Sequence, residues 1–321
     1  MTSGTVSAAS LRFARARAIS ADYVRLLKPR VMALAVFTAF AGLLAARAPI
    51  GPAEAVVAML CIAAGAGGAG ALNMACDADI DAVMRRTRGR PVPCGRVRPR
   101  DAAIFGAVLS LAAVSLMASF VNGLSAAVLA FTIAFYAGIY TLWLKRRTPQ
   151  NIVIGGLAGA LPPLVGWTAA AGSASLNAWL LVAIIFVWTP PHFWSLALYK
   201  RDDYAKAGVP MMPLVRGAAH TRRLILAYSL VLAPLCLAPV FTGLGGPIYL
   251  AAAGVGVVGF LDLSIQLALA RAGDSGASGD LKPSDRPARD LFRFSILFLF
   301  LLFASIVIEC LLGLPPLTAT L

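Results

Sequence analysis

What most constrains this chain is a series of nine apolar stretches, at 31–48, 53–73, 102–121, 124–144, 152–171, 176–198, 224–242, 247–269 and 291–313. Each is close to the roughly 20 residues that an α-helix needs to cross a bilayer. The first is short and borrows Leu26 and Leu27. With 13% charged residues, against about 25% in soluble domains, a soluble core of this length cannot hide the apolar surface; a bilayer can. The sequence therefore predicts an all-α, polytopic membrane bundle of about nine transmembrane helices. It forms one domain over 23–314, with a basic tail at 1–22 and a short tail at 315–321.

The net charge is +14, and its placement decides what it means. Nine crossings put every Lys and Arg except Arg47 on the side that holds the N-terminus. The positive-inside rule then places that side in the cytoplasm (or matrix) and the C-terminus outside. The charge is thus a topology signal, not a nucleic-acid footprint. Residues 1–20 are Arg- and Ser-rich and lack acids. A short basic bacterial tail is preferred over a transit peptide, which favours a bacterial inner membrane over a mitochondrial one. Cys61, Cys76, Cys94, Cys236 and Cys310 show neither metal-type nor disulfide spacing.

The turns on the far side are short and rich in Gly and Pro, so the reactive groups gather on one face. Asn73, Asp77 and Asp81 recur every four residues and share one helix face, with Arg85 continuing the stripe and Asp79 pointing elsewhere. Carboxylates at i and i+4 repel, and the repulsion grows near a membrane. A divalent cation resolves it: Mg²⁺ takes oxygen ligands, commonly one or two carboxylates plus substrate phosphates. The bland alternative is a solvated acidic helix end. The strict spacing, the membrane boundary and the following run Arg85-Arg86-Thr87-Arg88-Gly89-Arg90-Pro91 favour a bound diphosphate, with metal on one side and guanidinium groups on the other. Arg96, Arg98 and Arg100 are read as topogenic.

A second cluster follows the sixth stretch: Trp188-Thr189-Pro190-Pro191-His192-Phe193-Trp194, then Lys200-Arg201-Asp202-Asp203-Tyr204-Ala205-Lys206. Adjacent Asp202 and Asp203 do not share a helix face, so a frayed end is needed to aim both inward. The alternative is a charged loop with internal salt bridges. The Pro pair is expected to break or kink the helix and free carbonyls. His192 by itself reads as a packed, hydrogen-bonded core residue. Lys145, Arg146 and the segment Lys28-Pro29-Arg30 can also reach a phosphate. Glu309 and Asp262 fall within predicted crossings, Glu309 as a snorkelling or structural group, Asp262 without an assigned role.

Together these motifs resemble the UbiA-type intramembrane prenyltransferases, and within them the branch that farnesylates haem. Asn73, Asp77 and Asp81 match the family's N-x-x-x-D-x-x-x-D; Asn73-Met74, Asp79-Ile80-Asp81, Met84, Arg86-Thr87 and Arg90-Pro91 fit the haem branch. So do Asn151 to Gly156 with Pro162-Pro163 and Gly166-Trp167, the Trp188–Trp194 stretch, and Asp202-Asp203-Tyr204 to Met211. The resemblance spans about 22–300. It departs where many members carry a second D-x-x-x-D, since Lys200 and Tyr204 stand at those positions, and where Ala75-Cys76 replaces a bulkier aromatic pair.

The resemblance implies a Mg²⁺-dependent transfer of farnesyl from farnesyl diphosphate to a vinyl group of haem B, giving haem O. The metal is expected on Asn73, Asp77, Asp81 and Asp203, with Asp202 beside it as a further catalytic residue. The diphosphate is expected on Arg30, Arg88, Arg90, Lys145 and Lys206. Tyr140, His192, Phe193 and Trp194 are the expected contacts for the allylic cation or haem. Membrane lipid, and a haem A synthase or oxidase assembly proteins, are the expected partners. The alternatives are prenyl transfer to a quinone or other aromatic acceptor, and a non-enzymatic haem carrier or assembly factor.

Overall fold

A computed structural model describes residues 20–274 and 283–319. Most of the basic tail and the centre of the Gly/Ser-rich linker lie outside them. Among the described residues, eight helices are long and apolar enough to cross a membrane, and a bent pair supplies a ninth. The chain is a multi-pass membrane protein, and the expected all-helical bundle is what it forms.

The bent pair is α1, Ser20–Leu26, and α2, Pro29–Ala45, at 52° to each other. The sequence pattern placed the first crossing at 31–48, ending beyond Ala45, and gave no sign of the bend. Its hinge is Lys28, with φ 51 and ψ 52. That left-handed geometry is uncommon for a residue with a side chain, and a residue before proline is further disfavoured in helical conformations. Such strain persists only where the surroundings enforce it. Pro29 starts α2, where its missing N–H costs nothing. On the other side of the hinge, Leu26 is fully buried and Arg96 Nε donates to both oxygens of Asp22, at 3.1 and 3.0 Å.

The chain continues through α3, Pro52–Cys76; the short α4, Ala78–Val83; α5, Pro99–Phe120; and α6, Gly123–Ala134. From α6 it passes without a break into a π-helix, Phe135–Leu144, and then α7, Lys145–Arg147. The fifth crossing is a pair, α8, Asn151–Ala160, and α9, Pro162–Ala171. Here α2 and α9 pack backbone to backbone: a Cβ on Gly166 would collide with the Ala39 carbonyl. Then come α10, Leu176–Tyr199; the short α11, Arg201–Lys206, and α12, Met212–Val215; and α13, Ala218–Phe241. The last two crossings are α14, Pro247–Leu269, and α15, Arg286–Leu311.

Burial separates the crossings by position. The spans made by α8–α9 and by α10 are mostly buried, while few residues of α5 and α14 are. The first two are central and the others face lipid, as expected where lipid and side chain are equally apolar.

The Pro190-Pro191 pair does not end its helix: α10 runs through it. Glu309 does not snorkel. It is 1% exposed and accepts from the amides of Gly246 and Tyr249, at 2.7 and 2.8 Å. It therefore satisfies amides left free at the N-terminus of α14, where the helix dipole also favours an anion. Asp262 is exposed and accepts from Gln266, one turn away, at 2.7 Å.

Candidate active site

A cavity of about 380 Å³ lies among α2, α3, the π-helix, α8 and α10. It is polar at the end where the long loops gather and apolar along most of its length.

Asn73, Asp77 and Asp81 stand at the polar end and are all buried, at 4%, 1% and 2% exposure. Asn73 sits in the last turn of α3, Asp77 joins α3 to α4, and Asp81 belongs to α4. The four-residue spacing thus works across the junction of two helices. Asn73 Nδ2 donates to Asp77 Oδ2 at 2.8 Å and to Thr141 Oγ1 at 3.0 Å. Its Oδ1 accepts from Lys28 Nζ across the strained hinge. Lys145 Nζ donates to Asp77 Oδ2 at 2.5 Å, and Arg90 Nη1 to Asp81 Oδ2 at 2.6 Å. Three cationic side chains, from the α1–α2 hinge, the turns after α4 and the start of α7, thus cover one acidic face.

The face is not fully satisfied. Asp77 Oδ1 is buried and has no hydrogen-bond partner. A bare carboxylate oxygen beside a second carboxylate and an amide oxygen suits a hard cation with oxygen ligands. Among the described residues, however, no three His, Cys, Asp or Glu side chains converge on one point. Asp202 and Asp203 are half-buried on α11 and do not line the cavity, although their neighbour Tyr204 does. The structure therefore does not gather Asp203 with Asp77 and Asp81, because Asp202 and Asp203 form part of an ordered helical turn. Asp79 leaves the cluster as the spacing predicted. It pairs with Arg146 through two bonds of 2.7 Å, and the guanidinium pulls its carboxyl down to about 2.

The basic residues divide in a way that spacing could not show. Arg90 and Lys145 line the cavity. Arg30, Arg88 and Lys206 are exposed and do not. Lys28 and Arg86 line it instead. The segment after α4 is a chain of tight turns, closed by Thr87 Oγ1 donating to the Asp81 carbonyl at 3.0 Å. Periodicity cannot be read through turns, so which Arg faces inward was not legible.

The π-helix is the second feature that the sequence hid. Bonds from i to i+5 widen the turn, so residues four and five apart come to share a face. Tyr136, Tyr140 and Lys145 thereby line the cavity. Thr141 donates to the Tyr136 carbonyl at 2.7 Å, five residues back, while accepting from Asn73. The Tyr136 and Tyr140 rings stack at 5.6 Å. Gly155 makes room for them, since a Cβ there would run into the Tyr140 ring.

His192 and Phe193 line the opposite wall. Trp194 does not: it is 1% exposed and packs edge-on against Tyr228. His192 is stacked between Trp188, at 4.3 Å, and Phe292, at 4.6 Å, with Phe193 at its edge. Its Nδ1 lies 2.7 Å from Ser295 Oγ. Ser295 Oγ also lies 2.7 Å from the Phe292 carbonyl and can donate to it; with its proton there, His192 donates from Nδ1 and leaves the Nε2 lone pair free. The Ser295 carbonyl accepts from Trp188 Nε1 at 2.9 Å. One serine on α15 thus fixes both rings, a role that no sequence signal announced.

Residues 34–279 match the model of the UbiA prenyltransferase family. The chain is 57% identical over 332 residues to the protoheme IX farnesyltransferase of Caulobacter vibrioides, covering 99% of each. It is 59% identical over 314 residues to that of Caulobacter sp. strain K31, covering 92% of this chain and 90% of the other. Among solved structures it resembles a digeranylgeranylglyceryl phosphate synthase, with a TM-score of 0.72 at 15% identity, over 91% of this chain and 98% of that one. It also resembles a UbiA homologue from Archaeoglobus fulgidus bound to GPP and Mg²⁺, with a TM-score of 0.61 at 16% identity, over 89% and 99%. At these identities the structural likenesses establish the fold.

Proposed function

We propose, from the premise that this chain belongs to the UbiA prenyltransferase family, that it transfers the farnesyl group of farnesyl diphosphate to a vinyl group of haem B, giving haem O and diphosphate. One observation carries the reading. A single cavity joins the acidic and basic cluster of Asn73, Asp81, Arg90 and Lys145 to a wall bearing a clamped His192. The donor's anionic head and a flat iron-bearing acceptor need those two ends at once.

Asn73, Asp77 and Asp81 would hold Mg²⁺, with Asp77 Oδ1 as the ready acceptor. Asp202 and Asp203, on α11 beside the lining residue Tyr204, would act only from outside the cavity in this arrangement. When bound, the metal supplies Lewis-acid neutralisation of diphosphate charge. The cations that now cover the carboxylates then have a second use. Lys28, Arg90 and Lys145 move to phosphate oxygens and, with Arg86 on the cavity lining, stabilise the leaving group. Arg30, Arg88 and Lys206 extend this positive field at the exposed face. As the C1–O bond breaks, the stacked faces of Tyr136 and Tyr140 and the ring of Phe193 stabilise the allylic cation. The vinyl carbon supplies the electron pair for the new C–C bond. Water adds to the resulting cation and loses a proton, completing a hydroxyethylfarnesyl group. His192, its Nε2 lone pair free, is the group that meets haem iron. Trp194 supports this wall from the core.

The basic-loop end is assigned to the cytoplasmic side of a bacterial inner membrane, because the bacterial relatives share the chain's whole length and the charge is one-sided. A haem A synthase or oxidase assembly proteins are the proposed takers of the product.

The test is diphosphate release from farnesyl diphosphate and Mg²⁺, with and without haem B, followed by mass analysis of the haem. Release that requires haem and yields a farnesylated haem is the expected result. Release only with an aromatic acid would replace the acceptor; none with any acceptor would leave a haem carrier.

A further inference from the structure

The cavity has a floor, and the floor has a depth. On α3 the residues that line it are Asn73, Ala69, Ala66 and Ile62, spaced four, three and four apart, so they form one face descending from the acidic cluster. Ala69 and Ala66 keep the upper part wide. Ile62 is the last α3 residue to line it, and Leu129 of α6 and Val165 of α9 are the deepest lining residues of their helices. All three are at most 3% exposed. They belong to one buried apolar cluster with Leu43, Ala58 and Met117, none of which lines the cavity. A chain entering from Asn73 therefore stops at this layer.

From Asn73 to Ile62 is eleven residues of helix, about 16 Å at 1.5 Å per residue. With carbon–carbon bonds of about 1.5 Å projected along a zigzag, the twelve-carbon main chain of a three-isoprene tail is about 14 Å long. On the same bond length, the sixteen-carbon main chain of a four-isoprene tail is about 19 Å. The first fits and the second overshoots by about 3 Å, more than half an isoprene unit of about 5 Å. The facing wall, on α10 and α15, carries Trp188, His192, Phe193 and Leu299. It is aromatic and polar-edged, which suits a flat macrocycle and not a branched chain.

We infer that Ile62 and Leu129 form the stop that selects a three-isoprene donor, and that Ala66, one turn above, keeps that depth open. This rests on the prenyl-transfer reading given above. It makes opposite predictions for opposite substitutions. Ile62→Ala or Leu129→Ala removes the stop and opens room for one more isoprene unit. Ala66→Leu raises the floor by about one turn, or roughly 5 Å, which leaves room for a two-isoprene tail.

The experiment measures kcat/KM for diphosphate release from geranyl, farnesyl and geranylgeranyl diphosphates, with haem B and Mg²⁺, in the wild type and the three variants. The ratio of two donors within one variant is independent of how much of it is folded. The expected result is a tenfold or greater rise in the geranylgeranyl-to-farnesyl ratio for Ile62→Ala or Leu129→Ala, and a similar rise in the geranyl-to-farnesyl ratio for Ala66→Leu. Unchanged ratios in active variants would overturn the stop and leave the prenyl-transfer reading standing. A wild type that releases diphosphate from none of the three donors would overturn both.

Discussion

Two ends of this molecule each bury carboxylates, and they solve the problem differently. At one end Glu309 receives two backbone amides from the start of α14. Those donors are fixed by the chain path and cannot be lent to anything else. At the other end Asp77 and Asp81 are covered by Lys145 of α7 and Arg90 of the turns after α4, both long side chains, and one oxygen of Asp77 has no partner. A buried anion held by backbone is a structural cap; one held by long cationic side chains is, on the function proposed above, an exchange site. The cost of burying charge is met in both cases, but only the second arrangement can trade its partners for a metal and a diphosphate.

The contrast can be broken by substitution. Asp77→Asn should lower turnover by at least about 100-fold, the scale for losing one preorganised charge-stabilising group, while thermal unfolding in detergent stays near the wild-type midpoint. Removal of Mg²⁺ by a chelator should reproduce that loss in the wild type. Wild-type turnover in Asp77→Asn would remove the residue from the chemistry. Glu309→Ala should do the reverse. Two buried amides lose their acceptor, at about 1–3 kcal/mol each, so the unfolding midpoint falls while turnover per folded molecule holds. A catalytic defect without a stability change would erase the distinction between the two ends.

Lys145→Met sharpens the comparison. Asp77 then lacks its counter-charge, and turnover should fall about 10- to 100-fold, as for a hydrogen bond to a charged group worth about 1.5–3 kcal/mol. The lowered unfolding midpoint should recover on adding Mg²⁺, whereas that of Glu309→Ala should not. Absence of any Mg²⁺ response would argue that the carboxylates hold no metal. The smallest effect is expected for Thr141→Val, which removes one neutral bond to Asn73. Turnover should drop a few-fold, matching about 1 kcal/mol; a loss as large as that of Asp77→Asn would make Thr141 part of the chemistry.

The amino-acid sequence by itself determined the crossings, because about 20 apolar residues leave a helix no alternative in a membrane. It also determined the acidic face, because Asn73, Asp77 and Asp81 are linked by local helical spacing that survives the junction of α3 and α4. The tertiary structure decided what depends on contacts far apart in sequence or on irregular backbone. It chose Lys28 over Arg30 through the left-handed hinge before α2, and Arg86 over Arg88 in turns that carry no periodicity. It brought Tyr136 to the cavity through a π-helix, and set His192 against Ser295, 103 residues away. It also turned Glu309 from an apparent membrane charge into a helix cap. Spacing reports only what a regular helix repeats, and the identity of a partner across the bundle is fixed by packing alone.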